Sequence, residues 1–302
     1  MNKPYFSVCI PVTDREKTIY NTLCSVSCQT FRDFEVVIVE CGSKDHSKEE
    51  IERFFKSDDF CSHPFEYIYK NYQDAPQTVE DWNYPLQLAS GLYIAMLEGD
   101  DQYMPNHLSD AYAYLSEHSD IGLYAVGNQV QSRSRKGVLA PKEWLAMTIE
   151  IKDITPPSES IFIRTDKDHH PFLYDDMAYE YAPETDLYVR LALSGYSAYF
   201  SEKCDVIRDI TPKDRLGNIW HYYVDRFTLL YKYKEEIPQE LFEKSVSYQI
   251  IDTFLTSVRS RSPKKMLDIA VKIIKKTSLN LFMTAILKKV VRGMLRKCHV
   301  VS

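Results

Sequence analysis

Glu98, Asp100 and Asp101 place three carboxylates within four positions, with Gly99 among them. They follow directly on Leu92 to Leu97, six residues without charge that read as a buried strand. Acids crowded at the end of a buried strand repel one another. Desolvation raises their pKa values as well, unless a cation or hydrogen bonds compensate. Hard divalent ions such as Mg2+ and Mn2+ favour oxygen donors of this kind, and Mg2+ is commonly shared between one or two carboxylates and a substrate phosphate. Ligands of open α/β sheets bind beyond the carboxyl ends of the strands. The cluster therefore reads as a metal–diphosphate site. The alternative is a solvated acidic turn that leads into a helix at Pro105.

The elements that must position these acids alternate in type. Phe6 to Ile10 reads as a strand ended by Pro11, followed by the turn Val12-Thr13-Asp14-Arg15-Glu16 and a helix over about Lys17 to Gln29. A strand over Phe34 to Val39, a helix over Ser47 to Phe55, a strand over Phe65 to Tyr69 and a helix over Thr78 to Leu88 lead to the strand before the acids. Alternating strands and helices predict βαβ units and a mostly parallel sheet. A helix from Pro105 to Ser116 and a strand over Ile121 to Val130 follow. Gln131 to Thr155 reads as basic, then irregular. Ile161 to Arg164, Tyr196 to Phe200 and Val206 to Ile210 read as short strands, and Glu184 to Leu193 as a helix closed by Gly195. After about Asn218 the pattern is helical to the end.

Bulk properties set limits. Hydrophobic content of 44% and charged content of 26% are those of an ordinary globular chain. The seven cysteines lack zinc-like spacing, and their odd number fits a reducing compartment. Met1 runs almost directly into a strand, and no run reaches the length of a membrane span, so a cytoplasmic protein without a signal peptide is expected. From Arg259 to the end, twelve Lys or Arg face one acid, Asp268, so the tail carries +11 and the body −17 of the overall −6. An acidic body with a basic end implies two tasks.

Four patches in order resemble glycosyltransferase family 2. They are Ser7 to Pro11 with Gln29 to Glu35; Val39 to Ser43; Trp82-Asn83 through Ala89 to Ile94 into Glu98-Gly99-Asp100-Asp101; and Glu184 to Leu187 through Arg190 to Gly195. The resemblance covers Phe6 to Ile210. It implies an inverting enzyme of the GT-A fold, an α/β Rossmann-like and mostly parallel sheet flanked by helices. The catalytic domain would span residues 1–217, its nucleotide-sugar half about 1–105 and its acceptor half about 106–217, followed by a helical basic region over 218–302. The implied donor contacts are Pro11, Val12, Thr13, Glu16, Glu40, Asn83, Glu98 and Asp100. Asp100 and Asp101 would hold Mn2+ or Mg2+. Glu184, two residues before Asp186-Leu187, stands where the family carries its general base, with Asp176 and Asp186 on the acceptor side.

The chain also departs from the family pattern. Glu40 and Cys41 stand where two aspartates are usual, Trp82 where an arginine faces the diphosphate, Glu98 at the first acid of Asp-x-Asp-Asp, and Ile210 where a histidine follows the arginine, here Arg208. The resemblance implies transfer of a sugar from a nucleotide-sugar to a hydroxyl of a glycan or polyprenyl-linked acceptor. A catalytically impaired nucleotide-binding or scaffold protein, or a nucleotidyltransferase, remains open; the second would want a glycine-rich loop that Val12 to Glu16 lacks.

In the tail, Met266, Ile269, Ile273 and Ile274 recur at helical spacing against Lys272, Lys275 and Lys276, and Leu287, Val290, Val291 and Leu295 against Lys288, Lys289, Arg292 and Arg296. Basic amphipathic helices read as peripheral binding to an anionic membrane surface through residues 259–297. A tail docked on its own domain, or one that makes a homo-oligomer, is the alternative. The acidic body argues against nucleic acid as a partner.

Overall fold

Runs of β-branched and aromatic residues near the start of the chain form a parallel sheet. β1 (Phe6–Val12) pairs with β2 (Phe34–Glu40), β2 with β3 (Glu66–Asn71), and β1 on its other side with β4 (Tyr93–Met96). The computed structural model describes residues 3–72, 79–128, 136–150, 156, 158–166, 170–175, 183–209, 219–259, 271 and 275.

Both faces of the first strands are covered, as a parallel sheet requires. Phe6, Val8, Ile10 and Val12 share one core cluster with Ile19, Leu23 and Val26 of α1 (Ile19–Ser27) and with Ile51 and Phe54 of α2 (Ser47–Phe55). α3 (Asp58–Ser62) is a short helix whose preceding Ser57 accepts from Phe60 N–H. Cys9, Val37 and Val39 alternate with the first set and are equally buried. α4 (Val79–Leu88) lies against β1 and β2, and its Pro85 carbonyl accepts from the Cys9 thiol.

The connection order creates a switch point. The chain steps outward from β1 to β2 to β3, then returns to place β4 on the opposite side of β1. Pairing between β1 and β4 stops at Cys9 and Met96, where Leu97 N–H donates to Cys9 O at 3.0 Å. Pro11 has the same parity as Cys9, so its missing N–H faces the side that β4 has left. Ligands of open α/β sheets bind where strands part in this way. The β1–β4 register is held by a small polar network. Ser7 Oγ donates to Glu35 Oε1 at 2.6 Å, Ser90 N–H donates to the same oxygen at 2.7 Å, and Gly91 N–H donates to Ser7 Oγ at 2.8 Å. A Cβ at Gly91 would lie 2.7 Å from Ser7 N and 2.8 Å from Phe6 C.

The second half adds β5 (Gln102–Tyr103), α5 (His107–Leu115), β6 (Ile121–Asn128), β7 (Gly137–Leu139), α6 (Pro141–Ile149), a 3₁₀ turn (Ser158–Ser160), β8 (Ile161–Arg164), α7 (Pro183–Leu193) and β9 (Ser197–Ile207). The sheet reads β3-β2-β1-β4-β8-β6-β9-β5, with β7 on β9. Antiparallel pairs enter only in this half, so the sheet is mixed beyond β4. α7 opens on Pro183, with Glu184 and Asp186 in its first turn, and closes at Gly195 with φ +86. Gly195 N–H donates to Ala192 O and Tyr196 N–H to Leu191 O, the paired bonds of a Schellman cap.

Two expectations need correction. Part of the segment read as irregular, residues 131–155, holds β7 and α6. A three-residue edge strand is too short to show a period, and α6 is masked by the charges of its first turn. The strands expected at 196–200 and 206–210 are one strand, β9. Glu202, Lys203 and Cys204 are exposed in its middle, but its ladder with β6 continues to Val206 across register shifts.

The chain divides into two units: residues Met1–Leu145, Ile154–Met177 and Pro183–Asp214 form the first, and Ala146–Asp153, Ala178–Ala182 and Arg215–Ser302 the second. The sheet lies in the first. In the second, α8 (Ile219–Lys232) and α9 (Gln239–Arg259) bury Phe227, Leu230, Val246 and Ile250, and Arg226 Nη2 donates to Thr148 O at 2.6 Å. Among the described residues no helix is long and apolar enough to cross a membrane. The tail stripes expected over 259–297 lie outside the described residues, apart from Arg259 and the exposed Val271 and Lys275.

Candidate active site

The chain leaves β4 through Leu97 into a tight turn in which Asp101 N–H donates to Glu98 O at 3.0 Å. Gly99 O anchors the turn to α1 by accepting from Thr18 Oγ1 at 2.9 Å and Thr22 Oγ1 at 3.1 Å. One carboxylate oxygen each from Glu98, Asp100 and Asp101 then lies within 4.8 Å of the others. Ser158 Oγ donates to Glu98 Oε1 at 3.0 Å, and Asp209 N–H to Asp101 Oδ1 at 2.9 Å. Among the described residues, Asp100 Oδ1 and Asp101 Oδ2 are buried without a hydrogen-bond partner.

Buried carboxylate oxygens without donors are costly, and a hard cation is the group that would satisfy both. Burial, then the Asp100 charge, push the Glu98 carboxyl up from its ordinary range. Asp101 is pushed up to about 8 by burial, then by the charges of Glu159 and Glu98, against the Asp209 N–H. A divalent ion would reverse that logic by favouring the ionised forms. The donor set fits Mg2+ or Mn2+.

Arg15 meets this cluster, with Nε 3.1 Å from Asp100 Oδ2. It stands in the turn after β1, which is laced to the turn after β2. Asp14, at φ +52, accepts from Lys44 N–H at 2.7 Å, while its own N–H donates to Ser43 Oγ. Glu16 Oε2 accepts from His46 N–H at 3.1 Å, and Arg15 N–H donates to Ser47 Oγ at 2.6 Å. Pro11, Val12 and Thr13 run from the end of β1 into this double turn. Glu40 is buried at the end of β2, and its Oε1 accepts from Ser43 N–H at 2.5 Å. The buried Cys41 thiol is pushed up to about 12, chiefly by burial and then by Asp81 and Glu40, so it stays neutral.

α7 brings a further carboxyl within electrostatic reach of Glu98. Glu184 is pushed up to about 7 by burial, opposed by its own N–H, with the Glu98 charge adding to the rise. Tyr174 is buried beside it, and its hydroxyl has no hydrogen-bond partner among the described residues. Burial, then the charges of Glu184 and Glu98, hold that hydroxyl far above its usual range. Asn83 is spent on the same residue: its Nδ2 donates to Tyr174 O at 2.9 Å, and its Oδ1 accepts from Tyr174 N–H at 2.8 Å. Trp82 meets the Tyr174 ring edge-on at 5.6 Å. Asp186 is fully buried, with Oδ2 2.8 Å from Arg190 Nε, and Arg190 Nη2 also donates to Leu173 O. Asp176 lies outside the described residues.

The fold therefore gathers Glu98, Asp100, Asp101 and Glu184, and sets Pro11, Val12, Thr13, Glu16 and Glu40 at the neighbouring strand ends. Asn83, Glu16 and Asp186 have their polar groups engaged within the protein. Two participants escaped sequence reasoning. Arg15 sits in a turn that no period marks. Glu159, fully buried in the 3₁₀ turn, holds Arg208 Nε at 3.3 Å and faces Asp101; only its place before a short apolar strand could have marked it.

The profile described as Glycosyl transferase family 2 matches residues 7–178. Among curated proteins, the chain is 27% identical over 106 residues to the GalNAc(5)-diNAcBac-PP-undecaprenol beta-1,3-glucosyltransferase of Campylobacter jejuni, covering 35% of this chain and 33% of that one. It is 31% identical over 115 residues to an uncharacterized glycosyltransferase of Rickettsia bellii, covering 38% of this chain and 16% of the other. The matched stretch spans only about a third and a sixth of these relatives. Among solved structures, S. aureus TarS 1–349 in complex with UDP shares the fold at TM-score 0.67 and 17% identity, over 91% of this chain and 82% of the other. The mannosyltransferase PcManGT from Pyrobaculum calidifontis, in complex with GDP-Man and Mn2+, matches at TM-score 0.58 and 13% identity, over 96% and 88%.

Proposed function

This chain belongs to glycosyl transferase family 2, and from that premise we propose that it moves a sugar, with inversion, from a nucleotide-sugar to a hydroxyl of a glycan or lipid-linked acceptor. The observation that carries the reading is the Glu98, Asp100 and Asp101 cluster at the switch point, with two buried carboxylate oxygens that no donor among the described residues reaches. Asp100 and Asp101, with Glu98 beside them, would hold Mn2+ or Mg2+, which when bound supplies electrostatic stabilisation to a departing diphosphate. The solved structures with UDP, and with GDP-Man and Mn2+, support a nucleotide-sugar donor and a divalent ion. The undecaprenol named for the Campylobacter relative supports a lipid-linked acceptor.

The residues have distinct tasks in this reading. Pro11, Val12 and Thr13 line the nucleotide at the end of β1, and Glu16 braces their turn against the turn after β2. Glu40 faces the base from the end of β2. Asn83 positions Tyr174, and through it the surroundings of Glu184. The acceptor oxygen attacks the anomeric carbon as its proton passes to a Glu184 carboxylate oxygen. The bond from that carbon to the diphosphate oxygen breaks on the opposite face. A base held near pH 7 suits this transfer, because it is ionised yet basic enough to accept the proton. Asp186 fixes Arg190 and with it Leu173, next to Tyr174. The basic tail would hold the protein at an anionic membrane surface, where a lipid-linked acceptor resides.

Incubation with UDP- and GDP-sugars, with and without Mn2+, tests the function. Release of nucleoside diphosphate that requires Mn2+ is expected. Release of pyrophosphate from UTP or GTP supplied with a sugar 1-phosphate would instead make the chain a nucleotidyltransferase, and binding without turnover would make it a scaffold.

A further inference from the structure

Two arginines approach the acids, and they are placed differently. Arg208 Nε is 3.3 Å from fully buried Glu159. Arg15 Nε is 3.1 Å from Asp100 Oδ2, on one of the carboxylates a cation would need. The Arg15 side chain is 34% exposed and that of Asp100 17%, so the guanidinium can exchange partners without unfolding anything. Its backbone cannot move far, because its N–H is fixed on Ser47 Oγ at 2.6 Å. Its Nη1 leans on Thr13 O at 3.1 Å and Asp14 O at 3.3 Å, within the turn where a donor diphosphate would arrive. Gly99 makes room for the stem, since a Cβ there would stand 3.1 Å from Arg15 Cγ.

We propose that Arg15 is an internal counter-ion for Asp100, which a donor diphosphate draws away so that the divalent ion gains that carboxylate only together with the donor. The proposal rests on the donor and metal reading above. A divalent ion on Asp100 Oδ2 would meet the guanidinium at close range and be repelled. A diphosphate offers the planar guanidinium two oxygens, which it binds well, and its negative charge neutralises both cations. Metal and donor therefore bind as a mutually dependent pair, and the free protein is protected from taking up metal without donor.

Free Mn2+ followed by electron paramagnetic resonance gives the test on the full chain, for wild type, Arg15→Met and Arg15→Gln, with and without UDP or GDP. Without nucleotide the two variants should bind Mn2+ about two- to fivefold tighter than wild type, the scale of a partly exposed ion pair. With nucleotide that advantage should vanish or reverse. Variants that fold and bind Mn2+ alone no more tightly than wild type overturn the proposal, while Mn2+ binding in the presence of nucleotide keeps the donor reading intact. A wild type that binds no Mn2+ even with UDP or GDP overturns both. If neither variant folds, the Arg15 Nε–H resonance of 15N-labelled wild type decides. Mg2+ with UDP or GDP should move it, and Mg2+ alone at the same concentration should not; equal movement by Mg2+ alone overturns the proposal.

Discussion

Glu184→Gln should impair transfer and yet stabilise the fold at alkaline pH. The carboxyl is raised from 4.5 to about 7, first by burial and then by the Glu98 charge. Below pH 4.5 it is protonated in both folded and unfolded chains and costs nothing. Between 4.5 and 7 the unfolded chain loses this proton first, so the folded state binds more protons and stability falls as pH rises. Above 7 the full cost is present, at most roughly 3 kcal/mol for such a rise. A neutral amide never carries it. Urea unfolding without metal should therefore show Gln and wild type nearly equal at pH 4.5, and Gln more stable by up to roughly 3 kcal/mol at pH 8. Asp101 titrates in the same range but is common to both proteins, so it cancels in the difference. In the transfer assay, wild type should gain about tenfold per pH unit up to about 7, while Gln should lack that limb and be about 10²–10⁴-fold slower. A variant equally destabilised at both pH values would show that burial does not hold the carboxyl up. Turnover within a few-fold of wild type would move the base to Asp186 or Asp176.

Other expectations follow from packing and charge. Gly91→Ala forces a Cβ to within 2.7 Å of Ser7 N, so it should cost ~1–3 kcal/mol in urea unfolding, and an unchanged midpoint would refute the close approach of these segments. The full chain should co-sediment with anionic but not neutral liposomes and be released by salt, whereas a chain stopped after Arg259 should stay in solution. Equal partitioning of the two would favour a docked or dimerising tail.

In the first half of the fold β1, β2 and β4 were legible because each is a buried apolar run followed by a turn or an amphipathic helix. Phe6–Val12, Phe34–Glu40 and Tyr93–Met96 needed no tertiary information. β5 and β7 did, because two- and three-residue strands exist only through the partner that pairs them. β9 is one strand for a similar reason: its exposed centre has no apolar pattern, and the β6 ladder sustains it. The acids of the candidate site were legible because their crowding is a local property of the chain. Arg15 was not, since its importance comes from a contact across 85 residues, through a turn held by Ser47 and past a glycine. Asn83 shows the converse. The resemblance implied a donor contact for it; in the structure both ends of its amide serve the backbone of Tyr174, a pairing across 91 residues that no local pattern announces.

The central claim is that Asp100 joins a divalent ion to the donor diphosphate, and calorimetry of Asp100→Asn tests it most directly. UDP or GDP titrated with Mn2+ present should bind wild type, and removal of Mn2+ should weaken that binding. Asp100→Asn should lose the Mn2+-dependent part while its unfolding midpoint and circular dichroism stay those of wild type. Nucleotide affinity that remains Mn2+-dependent and unchanged in a folded Asp100→Asn protein would contradict the account.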